Sequence, residues 1–163
     1  MLLSTGTFDS SGNPLVTFFL SGTFSGGKKE FQAIIDTGFT GFLVMPMIQA
    51  FPLGLPLLGT TSVTLADGKT STRLTALGTV QLAEESKSGV VILEWDSNDL
   101  LVGMDFLRTF GKALFLSSKS IHLIDEAEMN AMVQKATESK EKKEPMKASS
   151  RLQETDGNVS KTP

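Results

Sequence analysis

The stretch FQAIIDTGFTGFLVMP, Phe31 to Pro46, sets one polar triplet, Asp36-Thr37-Gly38, between two apolar runs. Phe31 to Ile35 carries aromatic and β-branched residues with no breaker, which predicts a strand entering a core. A carboxylate then emerges at the strand's end. Gly38 and Gly41 let the backbone turn and approach a neighbour closely, and the Thr37 hydroxyl can both donate and accept a hydrogen bond. The plainest use of Asp36 is a turn aspartate bonded to its own loop. The residues around the triplet decide between that use and a chemical one.

Working outward, Asn13-Pro14 and Ser25-Gly26-Gly27 are turn chemistry, so Leu15–Phe24 and Lys28–Ile35 are expected to pair as an antiparallel hairpin that delivers Asp36 to the sheet's end. After the loop, Phe42 to Met45 predicts a buried strand stopped by Pro46, and Met47 to Phe51 a single helical turn. Gly59–Ala66 and Lys69–Leu77 alternate around Asp67-Gly68, a hairpin signal of the primed-turn type. Their eight serines and threonines suit an arm that stands partly out of the core, or equally a solvent-facing hairpin. Leu74–Leu82 and Val90–Glu94 predict two further strands, separated by a polar turn over Glu84–Gly89. Leu100-Leu101-Val102-Gly103 is an apolar strand ending in glycine. It opens onto a short helix, Met104 to Phe110, that Gly111 ends. Glycine there suits a strand passing directly under another loop, with no room for a Cβ.

Apolar-apolar-Asp-Thr-Gly, a hairpin with Gly68 at its tip, and Leu-Val-Gly103-Met-Asp, in that order over residues 15 to 124, resemble the retropepsin-like, or retroviral-type, aspartic proteases. The Gly-x-Asp-x-Leu that begins at Gly103 is similar to their bacterial and eukaryotic single-domain branch. The resemblance implies a mainly β fold, a small closed, orthogonal β-barrel of the acid-protease type with one or two short helices and one Asp-Thr-Gly lobe per chain. It implies that Asp36 is catalytic, that Thr37 and Gly38 support its loop, that Asp67 and Gly68 form the tip of a flap over the substrate, and that Gly103 threads behind the Asp loop. Viral members carry an arginine after the late glycine and acidic residues after the triplet, interlocked at the dimer interface. Here those positions hold Met104 and Phe39-Thr40-Gly41, so association is expected to rest on apolar contacts.

The 163-residue chain carries a net charge of −3 and no cysteine. That balance indicates neither a nucleic-acid footprint nor a polybasic membrane patch. It also excludes a disulfide framework, a thiolate metal site and a cysteine nucleophile. The one histidine, His122, falls at an outward position of a terminal strand, a solvated place, and cannot by itself anchor a zinc site. No metal and no cofactor is expected. Leu15 to Leu20 lacks a basic start and is too short to span a bilayer, so no signal peptide or membrane segment is read and a cytoplasmic location is expected. Asp105 is a first-turn residue of the short helix.

The domain layout is therefore a lead-in over 1–14, a retropepsin-like domain over 15–124, a short amphipathic helix over 125–136 and a disordered charged tail over 137–163. In the helix, Asp125 and Glu128 form a capping box, and Met129, Met132, Val133 and Ala136 share one face. One Asp-Thr-Gly supplies one carboxylate, whereas aspartic-protease chemistry needs two sharing a proton. Asp9-Ser10-Ser11-Gly12 is not a second copy: it has an extra residue and no apolar run before it. The second Asp36 must come from a twofold mate. The expected function is thus a homodimeric aspartic endopeptidase acting on peptide or protein substrates bound in extended form. The alternative is a noncatalytic dimerisation or peptide-binding domain of the same fold, and a small β interaction domain without a cleft is a third class.

Overall fold

The computed structural model describes residues 4–23, 27–64 and 68–141. The chain divides into two units, residues 1–125 and residues 126–163. The first is mainly β. Its strands are β1 (Ser4–Phe8), β2 (Pro14–Ser21), β3 (Lys28–Ile35), β4 (Leu43–Pro46), β5 (Leu57–Thr64), β6 (Thr70–Leu82), β7 (Glu85–Glu94), β8 (Leu101–Val102), β9 (Lys112–Leu116) and β10 (Ile121–Asp125). Two short helices interrupt them, α1 (Met47–Ala50), extended by a 3-10 turn over Phe51–Leu53, and α2 (Met104–Thr109). The second unit contains α3 (Glu126–Glu141).

The strands pair in the order β5-β6-β7-β4-β8-β3-β2-β1-β10-β9, and β6 also pairs with β2. β2 and β3 pair antiparallel as expected, with a register that runs from Leu15 opposite Ile34 to Ser21 opposite Lys28. Its alternation sends Val16, Phe18, Leu20, Phe31, Ala33 and Ile35 into the core, because successive strand side chains face opposite sides. The centre of the fold is a ladder in which β8 runs parallel to β3 and antiparallel to β4, and β4 runs parallel to β7. One row across it, Ile35, Val102, Leu43, Val91 and Ala76, is buried. The adjacent row, Ile34, Leu101, Val44 and Ile92, is only half-buried and faces the other way.

Five expectations are revised. The lead-in contains β1, which pairs with β2 and with β10 and so belongs to the sheet. β6 is one strand of 13 residues, not two. Glu85 to Gly89 is strand rather than turn: Leu82 pairs with Glu85, and the turn is Ala83-Glu84 alone, with Ala83 at φ 52°. A polar run can be strand here because the first four residues of β7 are exposed, and Gly89 serves packing: a Cβ there would lie 2.3 Å from the Phe42 ring. Pro46 is the last residue of β4, opposite Glu94, a strand end where the missing N–H is tolerated. In the second unit, α3 continues past Ala136 to Glu141, and of its expected apolar face Met132, Val133 and Ala136 are exposed. Among the described residues, no helix is long and apolar enough to cross a membrane.

An aromatic cluster underlies the Asp loop. The Phe106 ring of α2 lies 5.3 Å from Phe42, 5.8 Å from Phe18 and 4.9 Å from Phe110, centroid to centroid. Such pairs add to the burial of the rings themselves. Phe106 is fully buried, so Phe106→Ala should destabilise the fold by about 3–5 kcal/mol. Urea unfolding checks this as a lowered midpoint with an unchanged slope.

Candidate active site

Asp36 follows directly on β3, and its loop is held by backbone hydrogen bonds to the β8–α2 junction. Asp36 N–H donates to Val102 O at 2.9 Å, Gly103 N–H to Phe42 O at 3.2 Å, and Met104 N–H to Phe39 O at 2.8 Å. Asp105 N–H donates to Thr40 O at 3.1 Å and to Gly41 O at 3.2 Å. Loop carbonyls thus accept from the free N–H groups at the start of α2, donors that a helix cannot satisfy internally. Gly103 lies where this contact is tightest. A Cβ there would come within 2.4 Å of both the Phe39 and the Gly41 carbonyl oxygens, and neither backbone atom can swing aside.

Within the loop, Gly38 N–H donates to Asp36 Oδ1 at 2.9 Å. Phe39 N–H closes the turn on Asp36 O at 3.2 Å. Asp36 Oδ2 makes no hydrogen bond among the described residues, and the side chain is half-buried. Thr37 and Gly38 are exposed, and the Thr37 hydroxyl has no hydrogen bond among the described residues.

Asp36 lines a groove of about 630 Å³. Its apolar surface comes from Phe39, Val44, Ile92 and Leu101, the last three being members of the half-buried row. The β5–β6 hairpin contributes Val63, Thr64 and Arg73, and Glu94, Asp96 and Ser97 complete the wall. The hairpin expected to act as a flap therefore borders the groove that holds Asp36. Its register is described up to Thr64 opposite Thr70. Of the expected tip, Gly68 is exposed at φ 80°, and Asp67 lies outside the described residues.

The structure brings Asp36, Thr37, Gly38 and Gly103 together and leaves the other carboxylates of interest elsewhere. Asp9 is occupied by its own turn: Oδ1 accepts from Ser11 N–H and Asn13 N–H, and Oδ2 from Asn13 Nδ2, each at 2.8 Å. The Asn13 side chain, and then its backbone N–H, hold the Asp9 carboxyl below its usual value. Asp105 sits in the first turn of α2. His122 is half-buried rather than solvated: it lies beside Phe115, with ring centroids 6.1 Å apart, and its Nδ1 is buried with no hydrogen-bond partner among the described residues. Among the described residues no group of three His, Cys, Asp or Glu side chains could hold a metal.

Sequence reasoning missed Arg73, Glu94 and Asp96. The signal for the latter two was the alternation of Val91 to Asp96, which puts Ile92, Glu94 and Asp96 on one side of the chain.

An Asp-Thr-Gly loop pinned over a Gly-ended strand and facing a hairpin is the lobe of a retropepsin-like aspartic protease. Residues 21–109, more than half of the sequence, match the family described as "gag-polyprotein putative aspartyl protease", and the chain belongs to that retropepsin-like family. The fold is similar to a retropepsin-like aspartic protease from Rickettsia conorii, with TM-score 0.55 and 18% identity over 75% of this chain and 89% of that one. It is also similar to EIAV protease in complex with the inhibitor HBY-793, with TM-score 0.53 and 15% identity over 68% of this chain and 99% of that one. No curated protein sequence matches the chain.

Gly103→Ala tests the pinning of the loop. Forcing a methyl group against two carbonyls should cost about 1–3 kcal/mol of stability. It should also perturb the amide resonances of residues 36–42, measured by NMR, more than those of the distant β9–β10 pair.

Proposed function

We propose that the chain is an aspartic endopeptidase that works as a homodimer, each copy giving one Asp36 to a shared site. The observation that carries this reading is the single Asp36, presented by a pinned loop into a groove bordered by the β5–β6 hairpin. The pairing of β6 with both β7 and β2 supports reading these strands as the closed barrel of an acid-protease lobe. Across a twofold axis, two carboxylates about 3 Å apart cannot both ionise, so they share one proton. The ionised Asp36 takes a proton from a water, whose oxygen attacks the peptide carbonyl. The protonated Asp36 gives its proton to the carbonyl oxygen, and collapse of the tetrahedral intermediate returns a proton to the departing amine.

Thr37, exposed and with no partner for its hydroxyl among the described residues, suits a hydrogen bond across the axis, and Gly38 lets the two loops meet. The hairpins then close over an extended peptide held by strand-like hydrogen bonds. A noncatalytic peptide-binding or dimerisation role has the same fold and differs only at the chemistry.

Asp36→Asn should remove peptide hydrolysis while leaving the fold intact, because an amide can neither act as base nor share the proton. In the intact enzyme, activity per chain should fall on dilution through the dimer dissociation constant, since a monomer holds half a site. Hydrolysis by folded Asp36→Asn protein, or constant activity per chain in solutions shown by sedimentation to be wholly monomeric, excludes the shared-site mechanism.

The rate should follow a bell on the acid side of neutral. Below the lower apparent pKa of the pair no base remains, and above the upper one no acid remains. An initial-rate series against pH checks this, and a rate that keeps climbing through about pH 8 contradicts a shared proton.

A further inference from the structure

The end of β7 and the segment after it divide two surfaces by simple alternation. Ile92, Glu94 and Asp96 line the groove that holds Asp36. Leu93 and Trp95 line a separate apolar hollow with Pro46, Phe51 and Leu57. The Asp36 groove thus has an apolar floor and a charged wall, with, among the described residues, one cation, Arg73, against three carboxylates, Asp36, Glu94 and Asp96.

These charges differ in how far they are committed. Arg73 Nε donates to Glu94 Oε2 at 2.7 Å, and Nη1 donates to Thr72 O at 3.3 Å and to Ser71 Oγ. Glu94 Oε1 accepts from Trp95 N–H at 3.3 Å. The two side chains are only 15% and 16% exposed. The hydrogen bond to Glu94 raises Arg73 above its ordinary basicity, and the charges of Glu94 and Asp96 act with it against burial. Asp96 is exposed, and among the described residues its carboxylate joins no hydrogen bond or ion pair.

An acidic side chain entering the groove would have to draw Arg73 away from Glu94, leaving a part-buried carboxylate unpaired, which is strongly unfavourable. It would also face Asp96 as a like charge. A basic side chain can meet the exposed Asp96 carboxylate without breaking the Arg73–Glu94 pair, although Arg73, on which Asp96 already acts, stands nearby as a like charge. We propose that Asp96, with the Arg73–Glu94 pair fixed beside it, makes this groove select a lysine or arginine side chain of the bound peptide. The proposal rests on the endopeptidase reading. In a homodimer the twofold axis copies the wall, so the preference appears on each side of the scissile bond.

The test uses the full chain and peptides that share one apolar–apolar scissile bond and carry Lys, Gln or Glu at one scanned position. At one position on each side of the bond, kcat/KM should favour Lys over Glu by about tenfold, falling as salt screens the exposed charge. Asp96→Asn should narrow that ratio about three- to fivefold, mainly through KM. Glu94→Gln, which releases Arg73, should move the preference toward the Glu peptide. Equal rates for Lys and Glu at every position, or an unchanged ratio in Asp96→Asn, overturns the proposal. Cleavage of no peptide at all would instead defeat the endopeptidase reading. Fluorescence anisotropy of the same labelled peptides then decides the charge reading separately. Tighter Lys-peptide binding that Asp96→Asn weakens supports it, and equal binding of Lys and Glu peptides overturns it.

Discussion

The contact on which the site depends is between two pieces of backbone. The Val102-Gly103-Met104 segment passes so close beneath the Asp36 loop that a single methyl group at Gly103 would meet two carbonyl oxygens at 2.4 Å. That closeness lets five hydrogen bonds from Asp36 and the 103–105 segment tie the loop to the strand and to the start of α2. Backbone groups sheltered from water must find partners, and here each segment supplies the other's. The catalytic role proposed for Asp36 requires its carboxylate to be held in place by something that does not relax. A backbone-to-backbone clamp resting on the Phe42–Phe106–Phe110 cluster meets that need, with no side-chain network around Asp36 among the described residues.

The same ladder supplies both stability and surface. Across β8, β4 and β7, the row with Val102, Leu43 and Val91 seals the core, while the row one residue away, Leu101, Val44 and Ile92, floors the groove. A shift of register by one residue would exchange the two rows. The burial that fixes the register therefore also fixes what the groove presents. Past Ile92 the alternation continues into Glu94 and, just beyond the strand, Asp96, so an apolar floor passes into a charged wall along β7 and the segment after it.

Legibility in the sequence followed the range of the physics. The Phe31–Pro46 block, the β2–β3 hairpin and the glycine-ended strand before α2 could be read directly, because each is a local apolar run bounded by its own turn or glycine. The structure extended or redrew elements whose place depends on distant partners. β1 is a short segment that becomes a strand only beside β2 and β10. Glu85 to Gly89 has the composition of a turn and the position of a strand, since β6 offers it a ladder and Phe42 needs the space at Gly89. Arg73 and Glu94 are 21 residues apart, and no local pattern announces their pairing.

The amino-acid sequence by itself determined the carboxylate triplet, the glycine behind it, their order along the chain and so the resemblance to retropepsins, because these are set by residue type and local apolar patterning. Only the tertiary structure decided that Gly103 lies under Phe39 and Gly41, that the β5–β6 hairpin borders the groove of Asp36, and that Arg73, Glu94 and Asp96 form its wall. Those relations follow from strand register and crossover between segments far apart in the chain, which alternation can orient to one face or the other but cannot bring together.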